Sequence, residues 1–179
     1  METNTNQTAR SRDNALNALI DDIKDEKIKH YIRTRVLDQM RYYSRAGAKN
    51  KRLYERWTWA YFIMSAMIPV IITLTGSEMT VFLKGFIAIL AVGGIISNTV
   101  SDKFQYKELW MSYRSTREAL LRVLYDYFYH VGQFSKDIPQ EENDSLLVNA
   151  CEAIMANENI GWFDNMYKSH KHQEKKQSA

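Results

Sequence analysis

The chain has 179 residues, a net charge of +3 and a mean hydropathy of −0.43. That length accommodates one domain, and the average would suit a soluble protein, but it conceals two apolar blocks in an otherwise polar chain. Cys151 is alone, which excludes an intrachain disulfide.

Residues 1–24 read as a flexible tail, poor in apolar groups over the first fourteen positions, with a short helix at Ala15 to Ile23. From Asp25 a helical pattern begins: Ile28, Ile32, Val36, Gln39, Tyr43, Ala46, Asn50, Leu53 and Trp57 recur at steps of four or three, and no proline interrupts them. A cytoplasmic helix over 25–56 is therefore expected to run straight into the first apolar block. Gln39 and Asn50 interrupt its apolar seam and either fix register or face a gap.

Residues 57–75, WTWAYFIMSAMIPVIITLT, carry no charge and match the ~20 residues that a helix needs to cross a ~30 Å hydrocarbon core. Pro69 lies inside this span and reads as a static kink or a hinge. Residues 76–80 form an outer turn, and 81–101 form a second span in which Lys84 lies near the end, where its stem can stay in lipid. Residues 1–56 are polar and precede the first span, so it is expected to be an internal anchor rather than a cleaved signal. Arg41, Arg45, Lys49, Lys51, Arg52 and Arg56 precede the first span, and Lys103, Lys107, Arg114 and Arg117 follow the second. The positive-inside rule places both flanks, and both termini, on the cytoplasmic side of a multi-pass membrane protein. Trp57 and Trp59 suit the inner headgroup boundary. Anionic lipids account for the basic flanks, and no nucleic-acid partner is needed.

Along the second span, Ala91, Gly94, Asn98, Ser101 and Gln105 fall at steps of 3, 4, 3 and 4. This small and increasingly polar face suits either close helix packing, with Asn98 bonding across the interface, or the lining of a pore. Two spans cannot enclose a water-filled path, so a pore requires a homo-oligomer.

A second cytoplasmic helix is expected over 102–133. Tyr106, Leu109, Tyr113, Thr116, Leu120, Val123 and Tyr127 repeat at alternating steps of three and four, a heptad seam. This seam can zip against the 25–56 helix, since a short outer turn holds the spans antiparallel. Gly132 and the segment Lys136-Asp137-Ile138-Pro139 should end that helix. A helical segment over 140–167, marked by Leu146, Leu147, Ala150, Ile154 and Met155, should fold back on the hairpin, with a break or kink at Asn157 to Gly161. Residues 168–179 read as a disordered tail. The expected fold class is an all-α membrane protein: a two-span hairpin extended into a cytoplasmic antiparallel coiled-coil-like bundle with a further C-terminal helix.

No phosphate-cradling glycine loop or catalytic constellation is present, so no enzyme activity and no cofactor are expected. His170 and His172 lie in the polar tail, and Cys151 reads as a small buried residue rather than a nucleophile.

The run LDQMRYYSRAGAKNKRLYERW before the first span, Pro69 within MIPVI, KFQYKELWMSYRSTREALLRVLYDY after the second span and ENIGW around Trp162 resemble the SLATT family, the SMODS and SLOG-associating two-transmembrane effectors. The matching positions include Gln39, Tyr42, Tyr43, Trp110, Tyr113, Arg114, Thr116 and Glu118, and the resemblance covers roughly Lys27 to Trp162. It implies a bacterial membrane effector of nucleotide-signalling defence systems, in which a partner protein makes or senses a nucleotide and the two-span protein forms pores. It brings no catalytic residues. The alternative is a membrane-anchored scaffold acting through the cytoplasmic hairpin.

Overall fold

The computed structural model describes residues 14–75 and 80–177, with side chains as far as Glu158. Residues 1–13 of the expected tail, most of the expected outer turn and the last two residues lie outside the described residues, as do the side chains of Trp162, His170 and His172. The described chain is all-α. A short helix α1 covers 14–21, α2 runs Glu26–Thr75, α3 Val81–Lys103, α4 Tyr106–Phe128 and α5 Gln140–Gln177. It divides into two compact units, one of Met1–Tyr43 with Ser115–Gly161, the other of Ser44–Arg114 with Trp162–Ala179.

The first unit has an ordinary hydrophobic core. Leu16 and Ile20 of α1, Ile28, Ile32, Val36, Leu37, Met40 and Tyr43 of α2, Leu120, Leu124 and Tyr127 of α4, and Leu147, Cys151 and Met155 of α5 are all buried. The side chain of Asp25 caps α2 by accepting from the Lys27 N–H at 2.7 Å. Within α2, Ile32–Val36 form a π-helical turn. Its cause is in the sequence: Ile28, Ile32 and Val36 are spaced by fours, and in an α-helix each such step drifts by about 40° around the axis. The wider turn takes up this drift and keeps all three inside, after which Leu37, Met40 and Tyr43 continue the stripe in steps of three.

Helix α4 ends in a Schellman arrangement: the Val131 N–H bonds the Asp126 carbonyl at 2.9 Å and the His130 N–H bonds the Tyr127 carbonyl at 3.3 Å, with His130 itself left-handed at φ 53°. The helix expected over 102–133 thus stops at Phe128, and His130 takes the capping place expected of Gly132. In the following loop Phe134 is buried, and the Asn143 amide donates to the carbonyls of Ser135 and Ile138, which anchors the turn before α5.

The inward stripe of α5 is Asn143, Leu147, Cys151 and Met155, whereas the expected Leu146, Ala150 and Ile154 are half-buried beside it. No break occurs at Asn157 to Gly161, and the backbone stays helical as far as Gln177, through the described part of the tail expected to be disordered. One glycine costs a helix only about 1 kcal/mol, and the Lys, Gln and Glu residues beyond it are good helix formers.

The second unit is built differently. Its two apolar helices pack antiparallel, and a Cβ at Gly94 would lie 3.7 Å from Ser65 Oγ and 3.8 Å from the Tyr61 ring; α2 also meets α4, where a Cβ at Gly47 would lie 3.5 Å from Tyr113 Cβ. Little else is covered. None of the most apolar window of α2 is buried and only 11% of that in the second apolar helix. Phe62, Ile63, Val70, Leu74, Val81, Phe82, Ile89, Val92, Ile95 and Ile96 are each more than half exposed. Both helices are long and apolar enough to cross a membrane.

The second apolar helix does not run unbroken into the helix that follows it. Lys103 is the last residue of α3, Phe104 and Gln105 form a turn, and α4 starts at Tyr106. Gln105 is left-handed at φ 48°, and the Phe104 N–H reaches back to the carbonyl of Val100. Phe104 stacks on Tyr106 at 5.5 Å between ring centroids, bracing the turn.

Candidate functional site

Pro69 lies on an exposed face within α2, which stays helical around it, and its carbonyl accepts from Thr73 Oγ1 at 2.8 Å. Such back-bonding is general in this unit: Ser97 Oγ donates to the Gly93 carbonyl at 2.9 Å and Thr99 Oγ1 to that of Ile95 at 2.8 Å. These hydroxyls are therefore satisfied by their own helix in an apolar surrounding.

Asn98 is different. Its amide Nδ2 donates to Asp102 Oδ2 at 3.3 Å, one turn away, and both residues are exposed. The face predicted from spacing thus splits: Gly94 and Ser101 are buried, Ala91 is half-buried, Asn98 is outside and Gln105 is half-buried in the turn. Ser97, not among the predicted residues, is 2% exposed and completes the packing stripe Gly94, Ser97, Ser101. Small side chains at these steps let α3 approach the Tyr61, Met64 and Ser65 side of α2.

Beside Asn98 lies a cleft of about 490 Å³, lined by Tyr54, Thr58, Tyr61 and Phe62 of α2 and by Asn98, Ser101, Asp102, Gln105, Lys107 and Glu108 around the helix break. The left-handed Gln105 is what ends α3 and turns the chain, so that residues on both sides of the break reach one cavity. Three predicted residues, Asn98, Ser101 and Gln105, meet here. The charged residues Asp102, Lys107 and Glu108, and the aromatic wall, are not legible from the spacing of α3 alone, although Tyr54, Thr58 and Tyr61 do share one face of α2 at steps of four and three.

The residues of the expected seam divide between the units. Tyr43, Thr116 and Leu120 are buried in the first, where Gln39 is half-buried, while Tyr106, Leu109 and Tyr113 are half-buried in the second. Asn50 Nδ2 donates to the Ala46 carbonyl of its own helix at 2.9 Å, which gives its amide a local partner and leaves the expected register role without a cross-helix bond from that donor.

One polar network of the first unit joins α2 to α5. Arg35 donates from Nε and Nη2 to the two carboxylate oxygens of Glu152, each at 3.1 Å, and Tyr31 Oη donates to Oε1 at 3.2 Å. The Arg35 hydrogen bond in particular holds the Glu152 carboxyl below its usual range. Burial, reinforced by Glu152, pushes the Cys151 thiol up to about 12, as suits a small residue packed in the core. On α4, Tyr127 Oη donates to Asp144 Oδ1 at 2.5 Å and accepts from Gln140 Nε2 at 2.9 Å; burial, more than that bond, raises its phenol. Among the described residues, no group of three or more His, Cys, Asp or Glu side chains is placed to hold a metal ion.

No curated protein and no solved structure matches the chain. The family model described as Protein of unknown function (DUF4231) matches residues 38–142, which include both apolar blocks, the break at Phe104–Gln105 and every residue lining the cleft. That match spans more than half of the sequence, and the chain belongs to the DUF4231 family.

Proposed function

We propose that this protein crosses a bacterial inner membrane twice, with both termini in the cytoplasm, and assembles in several copies into an ion-conducting pore. The exposed apolar surface of the second unit supports membrane insertion: a contiguous patch of this kind is costly in water and needs lipid or another chain to cover it. The distribution of lysine and arginine supports the orientation. The observation that carries the pore reading is Asn98, an exposed carboxamide near the end of an apolar helix, linked to the exposed carboxylate of Asp102. In a membrane such a pair calls for water or a polar neighbour, and a ring of subunits supplies both. The resemblance to SLATT proteins adds the setting, a defence effector triggered by a nucleotide-producing or nucleotide-sensing partner.

The scaffold alternative has its own support, since the first unit buries a hydrophobic core without using the apolar blocks 57–75 and 81–101. One experiment separates the two. Purified oligomers in liposomes should conduct ions once activated, and Asn98→Leu should change that conductance while the oligomer persists. If assembled oligomers never conduct, the pore reading fails and the scaffold reading stands.

A further inference from the structure

The cleft at the helix break combines features that a plain packing defect does not need. Its lining carries two carboxylates, Asp102 and Glu108, beside one ammonium, Lys107, together with the rings of Tyr54, Tyr61 and Phe62 and the amides of Asn98 and Gln105. The net charge of these groups is −1, against the strongly basic flanks on either side of the apolar helices. In sequence, Thr58, Tyr61, Phe62, Asn98 and Ser101 belong to the apolar blocks, and Tyr54, Asp102, Gln105, Lys107 and Glu108 to the polar segments next to them. The cavity therefore straddles the depth at which lipid headgroups lie.

From this geometry we infer that the cleft binds the headgroup of a zwitterionic phospholipid with a primary ammonium, a phosphatidylethanolamine. Asp102 and Glu108 accept hydrogen bonds from the ammonium, and the tyrosine faces add a cation–π contribution. Lys107 meets the phosphate. The exposed side of Phe62 continues from the cleft onto the apolar surface, where an acyl chain lies. The size is suitable: at ~30 Å³ per water the cavity has room for about 16 waters, and the roughly eight heavy atoms of phosphoethanolamine need about half of that. A phosphatidylglycerol headgroup lacks the ammonium and brings only negative charge to two carboxylates, so the cleft selects against it although the basic flanks attract it. The inference rests on the membrane placement proposed above and not on conduction.

The test is lipid binding to the purified full-length protein, released from detergent and read by native mass spectrometry. With matched acyl chains, phosphatidylethanolamine should bind in preference to phosphatidylglycerol, and the preference should fall roughly fivefold or more in the Asp102→Asn/Glu108→Gln double variant. Glu108→Gln alone, which leaves the Asn98–Asp102 bond in place, should give a partial loss and guards against misfolding of the double variant. A native preference for phosphatidylglycerol, or a phosphatidylethanolamine preference that survives both substitutions, would overturn the assignment. So would binding of soluble phosphoethanolamine as tight as that of the lipid, which would mark a solute pocket. Failure of membrane placement reads out separately, as protein recovered in the soluble fraction of cells. Failure of the pore reading shows as lipid selectivity without conduction.

Discussion

Glu152 accepts hydrogen bonds from Arg35 and Tyr31 and so ties the C-terminal helix to the start of the first long helix. Its carboxyl is held below the usual value of 4.5, and the sign of the linkage follows. A carboxyl with a lowered folded-state pKa stabilises the fold above its unfolded value, and that contribution is lost as pH falls through the folded value. Both side chains are nearly half exposed, at 49% and 43%, so solvent screening limits the effect to at most about 1 kcal/mol. Thermal melts of Glu152→Gln should show lower stability than the native chain near neutral pH, with the difference closing between about pH 5 and pH 3. A difference that stays constant over that range would assign the effect to packing instead. Nothing in the sequence pairs residues 35 and 152, because an ion pair across 117 positions has no local signature. The buried Cys151 next to it was legible, since its neighbours are apolar and it has no second cysteine to meet.

At the scale of elements, the apolar runs were the most legible part of the chain. An uncharged block of the right length specifies a helix that lipid can cover, whatever packs against it. The breaks were less so. Steps of four at Ile28, Ile32 and Val36 read as plain α-helix but in fact produce a π turn, because the drift of a four-residue step has to be absorbed if all three are to stay buried. The turn at Phe104–Gln105 has neither glycine nor proline to announce it; a glutamine takes up the left-handed conformation, and the only trace in the sequence is that the face ending at Gln105 and the heptad seam starting at Tyr106 are out of step by one residue. The packing stripe was half-legible: Gly94 and Ser101 were on the predicted face, but Ser97 displaced Asn98 as its third member. The two neighbouring glycines should respond differently to alanine. At Gly94 a methyl finds ordinary van der Waals contacts at 3.7 Å and beyond, so Gly94→Ala should gain up to about 1 kcal/mol from helix propensity. At Gly93 a methyl would sit 2.9 Å from Met64 Sδ, and the thioether must move, which cancels some or all of that gain. Melting temperatures of the two variants in detergent check this, and a higher value for Gly93→Ala would contradict the packing described.

For the whole molecule, the decisive contrast is between a unit with a buried core and a unit whose apolar side chains face outward. A polypeptide with a complete core in one unit does not need to leave Leu74, Val81 and Phe82 more than four-fifths exposed in the other unless something outside the chain covers them. The proposed cover is the bilayer, and the pore, the lipid cleft and the orientation all depend on that. The most direct test is topology in intact cells. In a Cys151→Ala background, single cysteines at Ser77→Cys and Lys136→Cys are exposed to a membrane-impermeant maleimide, before and after the inner membrane is permeabilised. The account predicts that the protein stays with alkali-washed membranes, that Ser77→Cys reacts from outside and that Lys136→Cys reacts only after permeabilisation. Equal labelling of the two positions in intact cells, or release of the protein into the soluble fraction, would contradict it.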